Sequence, residues 1–210
     1  MKKIEEDYRT IKGQEYSEFE EEKSIFMTTA KYVESEKDAL QFIEEISDKY
    51  KDATHNCHAY IINQIPEIKR YSDDGEPQGS AGLPMLSVLE KEDVKNVAVV
   101  VTRYYGGKKL GKGGLIRAYT RGVADCIKDK ILYKRPFYEV KLTHAYTVLG
   151  QIENFLNERK YRIIKKDFLD TVKITLYIRE DEFKEFEKTL IDMTSANIDI
   201  EILDKIMLYD

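Results

Sequence analysis

Tryptophan is absent from this chain of 210 residues, and cysteine, histidine and proline are scarce. The chain has two cysteines, three histidines and four prolines, the last of which is Pro136. Two cysteines cannot form a disulfide framework, and the separation of Cys57 from Cys126 does not match a zinc site. We therefore expect both thiols to be reduced and to lie in the core.

Long hydrophobic runs are absent as well. No stretch approaches the roughly 18 apolar residues of a membrane-spanning helix, and the charged segment Met1–Asp7 lacks the apolar part of a signal peptide. Hydrophobic residues make up 42% of the chain and charged residues 35%, which is typical of a globular protein with a heavily charged surface. The sequence thus predicts a cytoplasmic protein without membrane contacts.

Glycine is confined almost entirely to one stretch. Nine of the eleven glycines lie between Gly75 and Gly122, at positions 75, 79, 82, 106, 107, 111, 113, 114 and 122. Because glycine gives the backbone conformational freedom, we expect a sharp bend or a bound ligand there. The β-branched run Val97–Val101 predicts a strand buried on both faces. Apolar residues at helical spacing within Leu115–Ile127 predict a helix, so the order is strand, glycine and lysine loop, helix.

The net charge of −5 conceals a strong asymmetry. Residues 97–135 contain ten basic and two acidic residues, a net charge of +8, whereas residues 1–52, 53–96 and 136–210 carry −6, −3 and −4. An anionic partner would therefore meet the chain at the glycine and lysine loop and the helix after it. Acidic flanks are not typical of a protein that coats nucleic acid without specificity.

The beginning of this predicted helix is a candidate anion site. The first N–H groups of a helix have no internal partners, and the helix dipole places partial positive charge there. The candidate anion- or nucleic-acid-binding residues are Arg103, Tyr105, Gly106, Gly107, Lys108, Lys109, Lys112, Gly113, Gly114, Arg117 and Arg121. Gly106, Gly111 and Lys112 fit part of a P-loop, but Gly113 replaces the Ser or Thr that holds magnesium. The alternative interpretation is that the glycines only form a tight turn.

A second polar group precedes this stretch. Asp73, Asp74 and Glu76 surround an Asp-Gly pair, which is a turn signal. The same three carboxylates could instead hold a hard cation such as magnesium, or act as acid and base with His55 from a predicted strand. The segment Gly79–Gly82 that follows could start a helix with free N–H groups. The turn and the site therefore stand as alternative interpretations.

The pattern changes near Lys134–Phe137. After Pro136 there is one glycine and no proline, and the periodicity predicts strand, helix, strand, strand, helix and strand. This βαββαβ order is the ferredoxin-like pattern. We therefore predict an α+β fold of two domains, residues 1–134 and residues 135–210.

Several short motifs of the first domain are characteristic as a set. They are Thr54–Cys57 (THNC), Ser72–Pro77 (SDDGEP) with Gly79 and Ala81–Gly82, Val101–Gly107 (VTRYYGG) with Leu110–Gly111, Gly113–Leu115, and Arg117–Tyr119 (RAY). Over about residues 15–130 they closely resemble the IMPACT family, whose bacterial members are the YigZ-type proteins. The βαββαβ region looks like the small domain that accompanies those members. Ile25 departs from the family pattern, in which a basic residue more often follows the Lys23-Ser24 pair.

The resemblance implies a fold and a biological setting. The first domain should have the left-handed βαβ unit found in the second domain of a small-subunit ribosomal protein and in the fourth domain of elongation factor G. The second should be similar in type to the fifth domain of that factor. In eukaryotic relatives the shared domain belongs to a translational regulator that competes for an activator of the amino-acid starvation kinase. The bacterial relatives have no settled activity.

Three functions are compatible with these observations. We expect first a non-enzymatic, translation-associated protein that binds RNA or a ribosomal surface through the basic loop and helix, with neighbouring tyrosines stacking on bases. The alternative is an enzyme acting on a phosphorylated small molecule, in which Asp73, Asp74 or Glu76 works with His55 as metal ligand or as acid and base. A module that binds a protein partner is the third. The sequence predicts no particular cofactor and no oligomeric state.

Overall fold

The computed structural model describes residues 2–3 and 6–210, and these divide into two compact units. The first unit comprises residues 8–133 with 2–3, and the second comprises residues 134–210 with 6–7. Both units combine sheets with helices, so the predicted α+β fold is confirmed. In the described part of the chain, no helix has both the length and the apolar character needed to cross a membrane.

The first unit alternates strands and helices. Its elements are β1 (Lys2–Lys3), β2 (Tyr8–Ile11), β3 (Gln14–Glu21), β4 (Ser24–Tyr32), α1 (Glu36–Lys49), β5 (His55–Ile62), β6 (Gln64–Ile65), β7 (Ile68–Ser72), α2 (Gly82–Lys91), β8 (Val97–Tyr104) and α3 (Gly111–Ile127). Five strands form an antiparallel sheet in the order β3-β4-β8-β5-β7. Because β4 and β5 both pair antiparallel with β8, they run parallel to each other, and α1 connects them. These elements form a βαβ unit in which β8 lies between the two parallel strands.

The central strand β8 is buried on both faces, as its run of valines predicted. Val97, Val99 and Val101 belong to the core formed with α2 and α3, whereas Ala98 and Val100 belong to the core formed with α1. Side chains of a strand alternate between its faces, so one strand serves both cores. The sheet therefore lies between α1 on one face and α2 with α3 on the other.

A two-residue turn joins β3 to β4. Glu21 pairs with Ser24 across the hairpin, and the two residues between them, Glu22 and Lys23, have φ angles of +48° and +65°. Positive φ at both central residues is typical of the tight hairpin turns whose twist matches that of the strands. The acidic end of this hairpin lies beside α3, where Glu21 reaches Arg121.

The second unit has the predicted ferredoxin-like topology. Its elements are β9 (Ile131–His144), a short 3-10 turn (Tyr146–Val148), α4 (Leu149–Glu158), β10 (Arg162–Phe168), β11 (Val172–Arg179), α5 (Phe183–Thr194) and β12 (Ile198–Tyr209). Four strands pair antiparallel in the order β10-β11-β9-β12. Apolar residues of β9 and β11 pack with Ile152 and Leu156 of α4 and with Phe186 and Leu190 of α5.

Strand β9 continues through Lys134–Phe137, the segment at which the sequence changes its pattern. Pro136 lies opposite Met207 of β12, and its carbonyl oxygen accepts a hydrogen bond from the N–H of Glu180 over 3.1 Å. Proline removes one backbone donor but leaves the acceptor, which is why the strand tolerates it. The boundary between Tyr133 and Lys134 therefore falls within β9.

Candidate functional site

The two polar groups found in the sequence meet at one end of the first unit's sheet. Strand β8 ends where β4 and β5 begin, because both neighbours run antiparallel to it. The register places Arg103 beside Phe26 of β4 and beside His55 of β5. The turn of residues 73–81, between β7 and α2, contributes Glu76 to the same place.

Arg103 and Glu76 form a buried ion pair at the centre of this site. Their exposed fractions are 5% and 7%, and Nη1 of Arg103 lies 2.6 Å from Oε1 of Glu76. The Tyr119 hydroxyl donates to the same oxygen over 2.8 Å, and Nη2 of Arg103 donates to Oγ of Ser24 over 3.3 Å. A buried charge is tolerated when it is paired and hydrogen-bonded. We call Ser24, His55, Glu76, Arg103 and Tyr119 the polar network.

The hydroxyl and thiol groups in and around the network stay protonated. Burial, reinforced by Cys57 and Glu76, raises the pKa of Tyr119 well above its ordinary value. Burial also raises the pKa of Cys57 far above the ordinary thiol range, and its Sγ donates to the main-chain oxygen of Asp73 over 3.0 Å. Burial raises the pKa of Cys126 to about 11. Both cysteines are free and buried, as predicted, and neither presents the thiolate that nucleophilic chemistry needs.

Asp73 occupies the beginning of α2. Its carboxylate accepts hydrogen bonds from the N–H groups of Gly79, Ala81 and Gly82 over 2.8, 3.0 and 2.9 Å. A carboxylate at this position satisfies orphan N–H groups and complements the helix dipole. The expectation that Gly79–Gly82 begins a helix with free N–H groups is therefore wrong, because the chain supplies its own anion.

The carboxylates of the turn point to different partners. Oδ2 of Asp74 accepts a hydrogen bond from the N–H of Asn56 over 2.5 Å, while Glu76 enters the polar network and Asp73 caps α2. Among the residues that the structure describes, no three His, Cys, Asp or Glu side chains come together as a group that could hold a metal ion. Three separate sets of protein partners therefore account for the three carboxylates better than a shared metal site does.

His55 is the partly exposed member of the polar network. Its Nδ1 lies 2.6 Å from the main-chain oxygen of Asp74, and because a carbonyl oxygen only accepts, Nδ1 carries the hydrogen. Nε2 then faces Oε2 of Glu76 at 3.8 Å, and the side chain is 19% exposed. Arg103 and Tyr119 hold the other oxygen of Glu76.

The polar network also fixes the glycine loop after β8. The N–H of Gly106 donates to Oγ of Ser24 over 3.2 Å, and the N–H of Tyr105 donates to Oγ1 of Thr54 over 3.0 Å. A Cβ atom on Gly106 would lie 1.9 Å from the main-chain oxygen of Lys23. No side chain fits so close an approach, so glycine at this position lets the loop rest on the β3–β4 turn.

The basic residues predicted to bind an anion fall into three environments. Arg103 is inside the polar network, so its assignment to an exposed anion site is corrected: it neutralises Glu76. Lys108 pairs with Glu22, and Arg121 pairs with Asp125 at 3.2 Å and with Glu21 at 3.6 Å.

Lys109, Lys112 and Arg117 are different, because they are exposed and, among the described residues, make no ion pair. We call these three residues the basic rim. The glycines of the first turn of α3 lie among them: a Cβ on Gly113 would be 3.7 Å from Nη1 of Arg117, whereas a Cβ on Gly114 would be 2.9 Å from Cβ of Leu110. Gly107 has a φ of +83° and is exposed. Of the predicted anion-binding residues, those of the basic rim are the cations that lie exposed without an acidic partner among the described residues.

Two members of the polar network, Ser24 and Tyr119, are not among the site residues predicted from the sequence. Tyr119 lies within the helical pattern of Leu115–Ile127 and is fully buried, but its hydroxyl also binds Glu76. Ser24 belongs to the Lys23-Ser24 pair of the family pattern, but a serine at the start of a strand is common and does not by itself indicate a site. Its role follows from the hairpin, which brings it to Arg103 and Gly106.

Comparison with known proteins places this site in a family. The Impact N-terminal domain matches residues 22–127, and a domain of unknown function, DUF1949, matches residues 142–197. The chain is 39% identical over 195 residues to the IMPACT family member YvyE of Bacillus subtilis (strain 168), which covers 92% of this chain and 90% of the relative. The chain belongs to the IMPACT family. The resemblance inferred from its motifs is confirmed.

Two further relatives of this IMPACT family chain are similar over most of its length. It is 31% identical over 186 residues to the IMPACT family member YigZ of Escherichia coli (strain K12), covering 87% of this chain and 91% of the relative. Among solved structures, the crystal structure of a hypothetical protein is similar with a TM-score of 0.59 and 30% identity, covering 96% of this chain and 99% of that chain.

The IMPACT motifs quoted from the sequence converge in the structure. His55 belongs to the THNC motif, Glu76 to SDDGEP, Arg103 to VTRYYGG and Tyr119 to RAY. These four side chains belong to one network at the end of the sheet. The motifs therefore build a single site, which shapes the glycine loop leading to the basic rim.

Proposed function

We propose that this IMPACT family chain is a cytoplasmic, translation-associated regulatory protein that binds RNA, or an RNA-containing surface of the ribosome, at the basic rim. The observation that carries the proposal is the environment of Lys109, Lys112 and Arg117. They are exposed and have no ion-pair partner among the described residues, whereas Arg103, Lys108 and Arg121 of the same loop and helix are paired with carboxylates. A cation without an acidic partner gains more favourable free energy on binding phosphate than a cation that is already paired.

The start of α3 supports the same proposal. Helix α1 is capped by Ser35, whose Oγ accepts from the N–H of Asp38, and α2 is capped by Asp73. The N-cap residue of α3, Leu110, offers no side-chain hydrogen bond, and the first turn of this helix contains no acidic residue. Its first N–H groups therefore add to the positive potential of the basic rim, and phosphate groups are the anions that such helix starts accept.

An aromatic ring lies in the same loop. Tyr105 is 44% exposed, and its ring centroid is 5.5 Å from Cζ of the buried Arg103. A ring held by a guanidinium beneath it loses little freedom when a base stacks on its outer face, and such stacking does not depend on base identity. Tyr105 thus provides one stacking surface, and the basic rim provides three cations for phosphate groups. Proteins bind single-stranded RNA through this combination.

The experiment compares two charge-matched variants for binding to ribosomes and to single-stranded RNA. The first is Lys109→Glu/Lys112→Glu/Arg117→Glu. The second carries Lys37→Glu, Lys51→Glu and Lys91→Glu, which change exposed lysines outside the loop and α3 by the same total charge. We expect co-sedimentation with ribosomes and filter binding of RNA to be lost in the first variant and retained in the second. Equal losses would show that only net charge matters and would contradict a specific rim.

The wild-type result distinguishes the alternatives as well. Binding to ribosomes that withstands high salt, with no binding to RNA, would favour a protein partner, because phosphate contacts weaken steeply as salt rises. The enzyme alternative has less support, because protein donors already engage the carboxylates of Asp73, Asp74 and Glu76. In an enzyme of that kind, His55 would be the acid or base.

A further inference from the structure

A cavity of about 220 Å³ in the second unit lies between the end of α4 and the start of α5. It is lined by aromatic rings and by charged side chains, and it is separate in the chain from the basic rim. The volume is well above the roughly 10–15 Å³ that one water molecule needs and below the roughly 300–1,000 Å³ of sites for drug-sized ligands. A cavity of this size suits a small metabolite.

Three aromatic rings form the apolar part of the cavity. Tyr161 meets Phe186 edge to face with ring centroids 5.1 Å apart, and Phe155 lies 5.8 Å from Tyr161 and 6.0 Å from Phe186. Phe186 is 1% exposed, whereas Phe155 and Tyr161 are half-buried. The half-buried rings leave apolar surface open toward the cavity, and that surface gains free energy when an apolar group covers it.

Charges of both signs line the same cavity without pairing with one another. Arg159 follows α4, Glu182 precedes α5, and Glu185 lies in its first turn. Among the described residues, Arg159 and Glu185 have no ion-pair partner, and Glu182 reaches only Arg179, at 3.8 Å. All three charges act on the Tyr161 hydroxyl: burial is the main cause that raises the pKa of Tyr161, the two glutamates raise it further, and Arg159 lowers it.

Opposite charges that share a cavity but remain apart are complementary to a ligand that carries both charges itself. A guanidinium offers the fork that holds a carboxylate, and a carboxylate accepts the hydrogens of an ammonium group. We propose that this cavity binds a free α-amino acid with an apolar or aromatic side chain. Arg159 holds the ligand's carboxylate, Glu182 and Glu185 hold its ammonium group, and the three rings contact its side chain.

The test uses binding of amino acids and of single-charge analogues to the full chain, measured by calorimetry and by NMR shifts of Tyr161 and Thr189. The probes are L-phenylalanine, L-tyrosine and L-leucine, with phenethylamine, which lacks the carboxylate, and 3-phenylpropionate, which lacks the ammonium group. We expect saturable binding of at least one amino acid. We also expect each aromatic analogue to bind about tenfold or more weakly than phenylalanine, since a hydrogen bond to a charged group contributes roughly 1.5–3 kcal/mol.

Variants assign each charge to its role. Arg159→Gln should weaken phenylalanine about tenfold and leave phenethylamine unchanged, because phenethylamine has no carboxylate for Arg159 to hold. Glu185→Gln should weaken phenylalanine and leave 3-phenylpropionate unchanged. Glu158→Gln and Lys160→Gln, on either side of Arg159 and exposed, serve as matched controls and should change nothing.

Two results would overturn the proposal. One is the absence of saturable binding of every amino acid up to roughly 10 mM, which is above the ~1 mM of a weak specific site. The other is phenethylamine binding as tightly as phenylalanine and independently of Arg159, which would describe a site for cations alone. Neither result depends on the basic rim, so the RNA proposal stands or fails separately.

Discussion

At the scale of single residues, Gly106 of the loop and Gly113 of α3 differ in whether the structure has room for a side chain. A Cβ on Gly106 would lie 1.9 Å from the main-chain oxygen of Lys23, whereas a Cβ on Gly113 would meet only the flexible end of Arg117 at 3.7 Å. We expect Gly106→Ala to lower the free energy of unfolding by about 1–3 kcal/mol, because the backbone must move. Gly113→Ala should raise it by up to about 1 kcal/mol, since alanine favours a helix. Urea denaturation of both variants checks this, and equal stability of the two would refute it.

The buried ion pair gives a second prediction at this scale. Glu76→Gln leaves the charge of Arg103 buried without a counterion, so we expect a loss of about 3–5 kcal/mol in the free energy of unfolding. Glu90→Gln, which removes one partner of the exposed pair with Lys69 at 3.0 Å, should cost less than about 1 kcal/mol.

Combining Glu76→Gln with Arg103→Met should restore part of the stability, because no buried charge is left unpaired. Urea denaturation measures the free energy of unfolding of all three variants. If Glu76→Gln proved as mild as Glu90→Gln, the polar network would not hold the site together as described.

The sequence contained part of the information about Arg103. Strand alternation places Arg103 on the same face as Val97, Val99 and Val101, which is a buried face. That signal predicts a buried cation, but it cannot identify the counterion. Glu76 is 27 residues earlier, in a turn whose position depends on the packing of α2. A pairing of this kind follows only from tertiary structure.

At the scale of elements, the start of α2 depends on a carboxylate outside the helix. Asp73 accepts hydrogen bonds from the N–H groups of three residues there, whereas Ser35 of α1 accepts one hydrogen bond. We expect Asp73→Ala to lower the free energy of unfolding by about 2 kcal/mol, which is the upper end of the values measured for N-cap substitutions. Ser35→Ala should lower it by about 1 kcal/mol. Thermal unfolding followed by circular dichroism compares them, and a smaller loss for Asp73→Ala than for Ser35→Ala would contradict the assignment.

Periodicity predicted the elements of the chain better than it predicted their contacts. The buried run of β8, the helix after the glycine loop and the six elements of the second unit all follow from spacing of 2 or 3.6 residues. Strand β9 extends across Pro136, because Pro136 uses only its carbonyl oxygen there, bonded to Glu180. The partner that satisfies a proline in this way lies far along the chain, so local sequence rules do not foresee it.

At the scale of the whole molecule, the charge of the basic segment is only partly available to a partner. Residues 97–135 carry a net +8 in the sequence. In the fold, Lys108 and Arg121 are paired with acidic residues of the β3–β4 hairpin, and Arg103 with Glu76. Segment charge therefore overstates the attraction for a polyanion, and within the loop and the start of α3 the basic rim is the part without acidic partners among the described residues.

The salt dependence of RNA binding tests the central claim most directly. Binding of single-stranded RNA is measured from low to physiological salt for the wild type, for Lys109→Gln/Lys112→Gln/Arg117→Gln and for Lys37→Gln/Lys51→Gln/Lys91→Gln. Each phosphate contact contributes about 0.7 to the slope of log affinity against log salt on a single strand, so loss of the rim should reduce the slope by about 2 and leave the control slope unchanged. Wild-type affinity that does not change with salt, or a rim variant with the wild-type slope, would contradict the account.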